Sequence, residues 1–460
     1  MQLPTFEIIH GDAHLTSTSG LGLVGQLLVH SGLRVAGDAI GGEVPARGGF
    51  SLGELTVSMT GLICMGKPDF DAIEEQREQP FFAQALGLSG CPSAPTLRQR
   101  LQAAGSTLDA GVRASSQRLV RAMAPKISGI ATVAGELVPL EMDVVVFDNS
   151  HTKKEGLGWT YHRCMGFAPI FSHVGTEGYL VDTELRTGET HSQGETTPAF
   201  LRSSLAGARA MLPEGDQRKL LARLDAGFDS QENLVILEDA GDHYIVARNR
   251  RRETAEDWLA LARQHAVACH PRPGKAIWIG AFTRIVDGRS RRIVFEVIER
   301  TTKRVNGGFQ DLIVPEYEIE SFWTDLGDPP QAIINLYHGR GTSEQFHSEI
   351  KTDLDLERLP SGTFATNQLI LLLGMLSYNL LRIIGQEALR EQPTDPTHAK
   401  APIRKRVQRR RVRSVMDDLI RLAARIIHSG RRWKLAFGAY APWARIWERL
   451  YQAFRTPLRT

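Results

Sequence analysis

LVPLEMDVVVF, residues 137–147, is a run rich in β-branched and aliphatic residues with two acids inside it, and the texture of the chain changes there. The run predicts a strand. WTYHRCMGFAPIF (159–171) and GYLVDTELR (178–186) follow as further strands, punctuated by Gly and Pro. Three strands in succession predict an antiparallel meander. Thr196–Thr197–Pro198 then starts a helix to about Leu212, with Pro at an N1-like position. KLLARLD (219–225) reads as a strand ending at an acid. Asp229 or Ser230 caps a helix through Leu237, and HYIVARN (243–249) is the next strand. The order β-β-β-α-β-α-β predicts an α/β class, a mixed sheet flanked by helices.

Working outward, residues 1–130 read as helical. SLGELTVSMTGLICMG (51–66) has apolar residues at helical spacing, and DFDAIEEQREQPFFAQALGLSG (69–90) breaks at Pro80. Ser93 is an expected N-cap, with Pro95 in the first turn and Leu97 and Leu101 four apart. Such short helices suit either a helix-turn-helix DNA-binding unit or a plain helical bundle. Residues 250–335 interrupt the core: a helix around TAEDWLALARQ, then strands over 276–286, 291–301 and 316–326. Helices are expected from about Asn335 to Leu356 and from Thr366 to Gln386. The expected division is a helical N-terminal region (1–130), a first core part (137–249), a β-rich insertion (250–335), a second core part (336–390) and a basic linker with a helical tail (391–460). Trp433, Trp443 and Trp447 read as packing anchors of that tail.

With 460 residues, 42% apolar and 23% charged, the chain has the composition of a multi-domain globular protein. Four scattered cysteines without a CxxC pair exclude a disulfide scaffold and a zinc ribbon. MQLPTFEIIHGDAH does not read as a signal peptide, and Leu369–Leu376 is short for a membrane span. The expectation is a soluble protein of a reducing, cytoplasmic compartment. Eight basic residues and no acid lie between Lys400 and Arg413, against a net charge of only +3. Positive charge so concentrated makes a polyanion the expected partner of Arg404, Lys405, Arg406, Arg409, Arg410 and Arg411, although such runs are also plain solvated linkers.

YHGRGTSEQFHSEIK (337–351) carries the chemistry. On one helical wheel Tyr337, Arg340, Glu344 and Lys351 fall on a stripe about 60° wide, with Phe346 and Ile350 opposite, unless Gly339 and Gly341 delay the helix start. One face would pack while the other presents a phenol, a guanidinium, a carboxylate and an ammonium. A solvated face with an Arg340–Glu344 ion pair is the plain alternative. Asp143 in the first strand and Asp225 at the end of LARLD lie on strands that can be sheet neighbours. A helix on that sheet would bring Glu344 to them. Three converging carboxylates suit a hard divalent cation, Mg²⁺ or Mn²⁺. Two such ions would clamp the attacking and leaving oxygens of a phosphodiester. The scattered histidines His151, His191, His338 and His347 read as core or surface residues, and Glu155 is structural or near the site.

The spacing Tyr-x2-Arg-x3-Glu-x6-Lys resembles that of bacterial insertion-sequence DDE transposases. With DVVVFDNSHTKKEG, GFAPIF, LDAGFDS and SEIKTDLDLERLPSG, it is similar to their insertion sequence 1380 group. The resemblance spans about 15–455 and is strongest over 140–385. It implies a ribonuclease H-like core interrupted by a β-strand insertion before the third acid. By position it implies Asp143, Asp225 and Glu344 as catalytic, metal-binding residues holding two Mg²⁺ ions, with Mn²⁺ as a substitute. Asp148 is the rival for the first place but reads more simply as a turn, and Asp229 as a helix cap. Tyr337, Arg340 and Lys351 would contact DNA phosphates, Arg as a fork and Lys as a point charge. Trp323 in ESFWTDL would stack a flipped base, or is a core Trp of the insertion. The implied function is cut-and-paste movement of an insertion sequence in a bacterial cytoplasm. It would proceed by hydrolysis and strand transfer at terminal inverted repeats, with a homodimer on paired double-stranded DNA ends. The rivals are a catalytically silent DNA-binding derivative and a structure-specific nuclease of the same fold.

Overall fold

The computed structural model describes residues 7–8, 10–11, 13–41, 49–190, 194–305, 308–390, 407–430 and 432–455. The chain divides into two compact units. One comprises Met1–Met123, Asp353–Pro360 and Leu376–Thr460, the other Ala124–Thr352 and Ser361–Met375.

The second unit is built on one large mixed sheet. Its strands run in the order Tyr179–Glu184, Ile170–Val174, Gly135–Val144, Leu220–Leu224, His243–Ala247, Gly308–Thr324, Arg289–Val305, Lys275–Val286, Ala268–Arg272. The first three pair antiparallel, as the meander predicted. Gly135–Val144, Leu220–Leu224 and His243–Ala247 pair in parallel. Parallel neighbours need a crossover. The helix Gln231–Ala240 supplies the one between the latter two strands, capped by Ser230, whose side chain accepts from Asn233 N. Leu220–Leu224 is buried along its whole length, as a strand covered on both faces must be. The helix Pro330–His338 seals one face through Ile333 and Ile334 packed with Leu137, Leu221, Ile245, Val294 and Phe322.

Two expectations change here. The 250–335 strands do not stand apart: Ile245 pairs with Thr324 and Ala247 with Phe322, so they continue the core sheet. The bare edge of His243–Ala247 would otherwise leave backbone groups unpaired. Nor is there one helix from Asn335 to Leu356. Pro330–His338 gives way to a 3₁₀ turn (Gly339–Thr342), a short helix (Ser343–Ser348) and a π-type turn (Glu349–Asp353). Gly339 and Gly341, poor helix formers, sit at the break.

The first unit is mainly helical. Leu52–Cys64 starts with a capping box between Ser51 and Glu54, and every one of its residues is buried. A helix that reads DNA must expose a face, so burial assigns this one to the bundle core. Ser93 caps Ala94–Ala104, as predicted. The tail is not wholly helical. Ala424–Ser429 and Arg432–Phe437 form a hairpin that Leu15–Thr16 extends to three strands, before the helix Ala444–Arg455. Gly430, at φ 60°, lies in the turn between them. Phe364–Leu389 is long and apolar enough to cross a membrane by length and composition, but its most apolar stretch is entirely buried within the protein.

The basic run also reads differently in three dimensions. Lys400, Arg404, Lys405 and Arg406 lie outside the described residues. Arg411 grips Asp353 through two bonds of 2.7 and 2.9 Å, and Arg413 Nε lies 3.2 Å from the same carboxylate, which is fully buried. Arg410 pairs with Asp418 and stacks 4.1 Å from the Trp443 ring centre. These three cations therefore hold the tail to the unit's own acids and rings rather than standing ready for a polyanion. Asp353→Ala removes the acceptor of two half-exposed guanidiniums. We expect it to destabilise the unit by about 1–3 kcal/mol, read in urea unfolding of the full chain; an unchanged transition would contradict the clip.

Candidate active site

The parallel register places the two acids. Leu140 pairs with Ala222 and Glu141 with Arg223, so two residues further on Asp143 and Asp225 lie side by side at the carboxyl ends of adjacent strands. That end of a parallel sheet is where α/β proteins build their sites. Asp143 accepts from Val144 N at 2.8 Å. Asp225 accepts from Gly227 N at 2.8 Å, which turns the chain sharply away from the strand. Burial pushes the Asp143 carboxyl above the usual range, and the nearby charge of Glu344 adds to it, against Arg340. Burial and then the charge of Asp143 raise Asp225 in the same way.

Arg340 answers this crowding. Its guanidinium lies 3.8 Å from Asp143 Oδ2 and its Nη1 donates to the Tyr337 hydroxyl at 3.0 Å. Burial works against its charge, but Tyr337, Asp143 and Asp225 outweigh that and hold it protonated. The Tyr337 ring packs on Phe322 at 4.6 Å, and burial raises its phenol. Lys351, in the π-type turn, reaches the same strand end from another element, donating to the Val146 carbonyl at 2.8 Å.

Glu344 stands apart. Its short helix is fixed by Phe346, whose ring fills the space beside Gly178 so closely that a Cβ there would lie 2.2 Å from it. Phe346 and Ile350 are buried, the packing face that the wheel predicted. Glu344 itself is exposed, and its charge is felt at Asp143 and His347. Among the described residues no three His, Cys, Asp or Glu side chains come close enough to hold a metal ion. The expected convergence of three carboxylates is therefore not the arrangement seen. The helix break at Gly339–Thr342 takes Glu344 off the predicted stripe, and a guanidinium already balances the acids. The Asp143–Asp225 pair does fit a divalent cation by its chemistry: two oxygen donors, partly desolvated, with the charge of Asp143 raising the pKa of Asp225.

Trp323 is 4% exposed, its Nε1 donates to Asp229 Oδ1 at 2.9 Å, and the Arg248 guanidinium covers its ring at 4.6 Å. Of its two readings the packed core Trp matches this burial. Asp229 serves Trp323 and Asn249 N rather than capping a helix, the task Ser230 performs. Asp148 closes a turn on Ser150, as its sequence suggested. Glu155 staples the helix start at Phe364 N at 2.9 Å.

Three residues of the site had no assigned role in the sequence. Glu141 and Arg223, both buried, form an ion pair one step before the acid pair, and Arg223 Nη1 donates to the Leu336 carbonyl at 2.7 Å. A signal was present: each lies two residues before an acid, so each shares that acid's face of its strand. His347, read as an ordinary core or surface histidine, is buried with Nδ1 3.9 Å from Asp143, and burial pushes its pKa down to about 4. It is neutral at physiological pH.

A family model described as Transposase DDE domain group 1 matches residues 10–457. The chain belongs to that family. No curated protein matches it. As a DDE transposase, it carries paired acids at the strand ends of an α/β sheet.

Both acids have folded-state pKa values above those of an unfolded chain. The folded transposase therefore binds protons more readily than the unfolded chain as pH falls, so the pair weakens the fold at neutral pH and the penalty fades in acid. Asp225→Asn keeps the turn-closing acceptor. Without divalent ions it should raise thermal stability at neutral pH. That gain should shrink as pH falls through the raised carboxylate range; a constant or absent gain contradicts the assignment.

Proposed function

We propose that this transposase moves an insertion sequence of the 1380 group by cut-and-paste, cleaving DNA at terminal inverted repeats and joining the freed ends to target DNA. The observation that carries the reading is the side-by-side placement of Asp143 and Asp225 at adjacent strand ends, next to Arg340. The strand order, a three-stranded meander followed by two parallel strands, supports a ribonuclease H-like core. Asp143 and Asp225 would hold Mg²⁺, or Mn²⁺ in its place, with Glu344 as the third ligand that the family resemblance implies. Divalent ions there would supply an activated water and offset charge on the phosphodiester.

The rest falls to the chain's own groups. Arg340, already charged and anchored on Tyr337, offers a fork to phosphate oxygens once Asp143 no longer needs it. Lys351 adds a point charge at the same strand end. His347 stays neutral beside Asp143 and so adds no charge to repel a cation. Arg404, Lys405, Arg406 and Arg409 remain candidates for a DNA-binding arm, and a homodimer would hold two ends of the element in the bacterial cytoplasm.

The separation of Glu344 from the acid pair favours one rival, a protein that binds DNA without cutting it. Cleavage of labelled DNA bearing the element's ends decides. We expect nicks with Mg²⁺ but not Ca²⁺, lost in Asp225→Ala and in Glu344→Gln while both variants still bind the ends. Joined products exclude a structure-specific nuclease. Binding without cleavage under either ion puts the silent reading ahead. Arg340→Lys keeps the charge but loses the fork, and should slow cleavage by about 10–100-fold, or 1–3 kcal/mol in the transition state. Cleavage at the wild-type rate would remove Arg340 from the chemistry.

A further inference from the structure

The three-stranded sheet of the first unit ends on an unpaired edge. Its order is Leu15–Thr16, Ala424–Ser429, Arg432–Phe437, so among the described residues no strand covers the outer side of Arg432–Phe437. The register says which backbone groups lie bare. Ile426 N donates away from the hairpin, to the His14 carbonyl at 2.8 Å. Residues directly opposite in an antiparallel pair point their backbone groups either both toward or both away from each other. Leu435 faces Ile426, so its N–H and C=O point to the open edge, and those of Trp433 and Phe437 follow at a period of two. Such an edge is a template for one more strand.

The same three residues turn their side chains toward a cavity. Trp433, Leu435 and Phe437, with Ile426 beside them, line a space of about 500 Å³ whose other walls are the helices Leu21–Ser31, Pro80–Ala85 and Ala444–Arg455. Those walls are braced. A Cβ on Gly25 would overlap the Ala85 carbonyl oxygen, so the first two helices touch there. His30 Nε2 donates to the Phe454 carbonyl at 2.8 Å and holds the third. Trp447 stacks on Tyr451 at 5.2 Å and meets Phe437 at 5.0 Å. The space is therefore a built hollow rather than slack packing. Its lining lacks contacts in two places. Trp443 and Trp447 are buried anchors of the tail as their sequence suggested, but Trp433 is 52% exposed. Trp447 is 5% exposed, yet its buried Nε1 has no acceptor among the described residues. A buried N–H without an acceptor is costly, and a guest carbonyl would supply one.

The opposite face of the hairpin decides the chemistry of the guest. Arg425, Arg432 and Lys434 are exposed, and no acid lies between Ala424 and Phe437. Glu448 is the one acid among the residues lining the cavity. A strand laid along the edge alternates its side chains between the two faces. Apolar side chains would enter the hollow, and acids would meet Arg432 and Lys434. A second copy pairing edge to edge would set these cations against their own kind, which is unfavourable. DNA would use the cations but leave the backbone edge and the apolar hollow unfilled. We propose that the open edge of Arg432–Phe437 and the cavity behind it take an extended segment of a partner protein, in which apolar and acidic residues alternate, as a fourth strand. The inference does not depend on the reaction at Asp143 and Asp225.

Fluorescence anisotropy of the full chain with labelled peptides tests it. The first probe alternates Glu with Leu and Phe, and a second carries Lys in place of Glu. Two more repeat the first probe with alternate backbone nitrogens methylated, one in each register. The Glu probe should bind, and the Lys probe about tenfold or more weakly. Of the methylated pair, only the one whose methyl groups face the edge should lose binding, by a similar factor. Arg432→Glu/Lys434→Glu should reverse the preference between the Glu and Lys probes, and Trp433→Ala should weaken the Glu probe. Thermal unfolding of each variant confirms an intact fold. No binding of the Glu probe up to about 1 mM overturns the proposal, as does equal binding of all three Glu-containing probes, which makes the contact purely ionic. Binding of a blunt DNA duplex that the double variant abolishes, without peptide binding, makes this face a phosphate contact instead. A dimer of the free protein that Trp433→Ala dissociates in sedimentation makes it a contact between copies, and that too overturns the proposal.

Discussion

The parallel pairing of Gly135–Val144 with Leu220–Leu224 is the constraint on which the candidate site depends. It sets Glu141 opposite Arg223 and therefore Asp143 beside Asp225. A shift of one residue would send the facing side chains to the opposite side of the sheet. The buried Glu141–Arg223 ion pair helps fix the register, since slipping it would leave two charges unpaired in the interior. Arg223 also holds the Leu336 carbonyl, just where the chain turns toward Tyr337 and Arg340. One guanidinium thus ties the acid-bearing strands to the segment that carries the basic half of the site.

Charge balance explains the rest of the arrangement. Two half-buried carboxylates at one strand end repel each other and resist ionisation. Arg340 supplies the nearest opposite charge, and Tyr337 orients it. A neutral His347 fills the adjoining space without adding to either side. The oxygen donors that face the guanidinium are of the kind a hard divalent ion takes. The turn carrying Tyr161 is tied to the strand end, its hydroxyl donating to the Val144 carbonyl next to Asp143.

What was legible in the sequence was local. Ser93, with Pro95 in the first turn, announced its helix, because an N-cap acts over three residues. The strands at 137–147, 178–186, 219–225 and 243–249 were readable from composition and turn residues. What failed was non-local. The partner of a sheet edge is not written in either strand, so the 250–335 strands were set apart although they continue the core sheet. The tail hairpin was read as helix, because its pairing with Leu15–Thr16 lies some four hundred residues away in the chain. The basic run was read as free charge, although Asp353 and Asp418 claim Arg410, Arg411 and Arg413.

The sequence by itself determined the α/β class, the candidate acids Asp143 and Asp225, and the Tyr-Arg-Glu-Lys spacing. Those features are fixed by residue type and short-range periodicity. Tertiary structure decided which of them meet. It set Asp143 against Asp225 through strand register and moved Glu344 off their face through a helix broken at two glycines. It buried Trp323 against Asp229 and Arg248, and it left Trp433 in the open. Burial and contact belong to the packed whole, because exposure is a property of what lies over a side chain and not of the side chain itself.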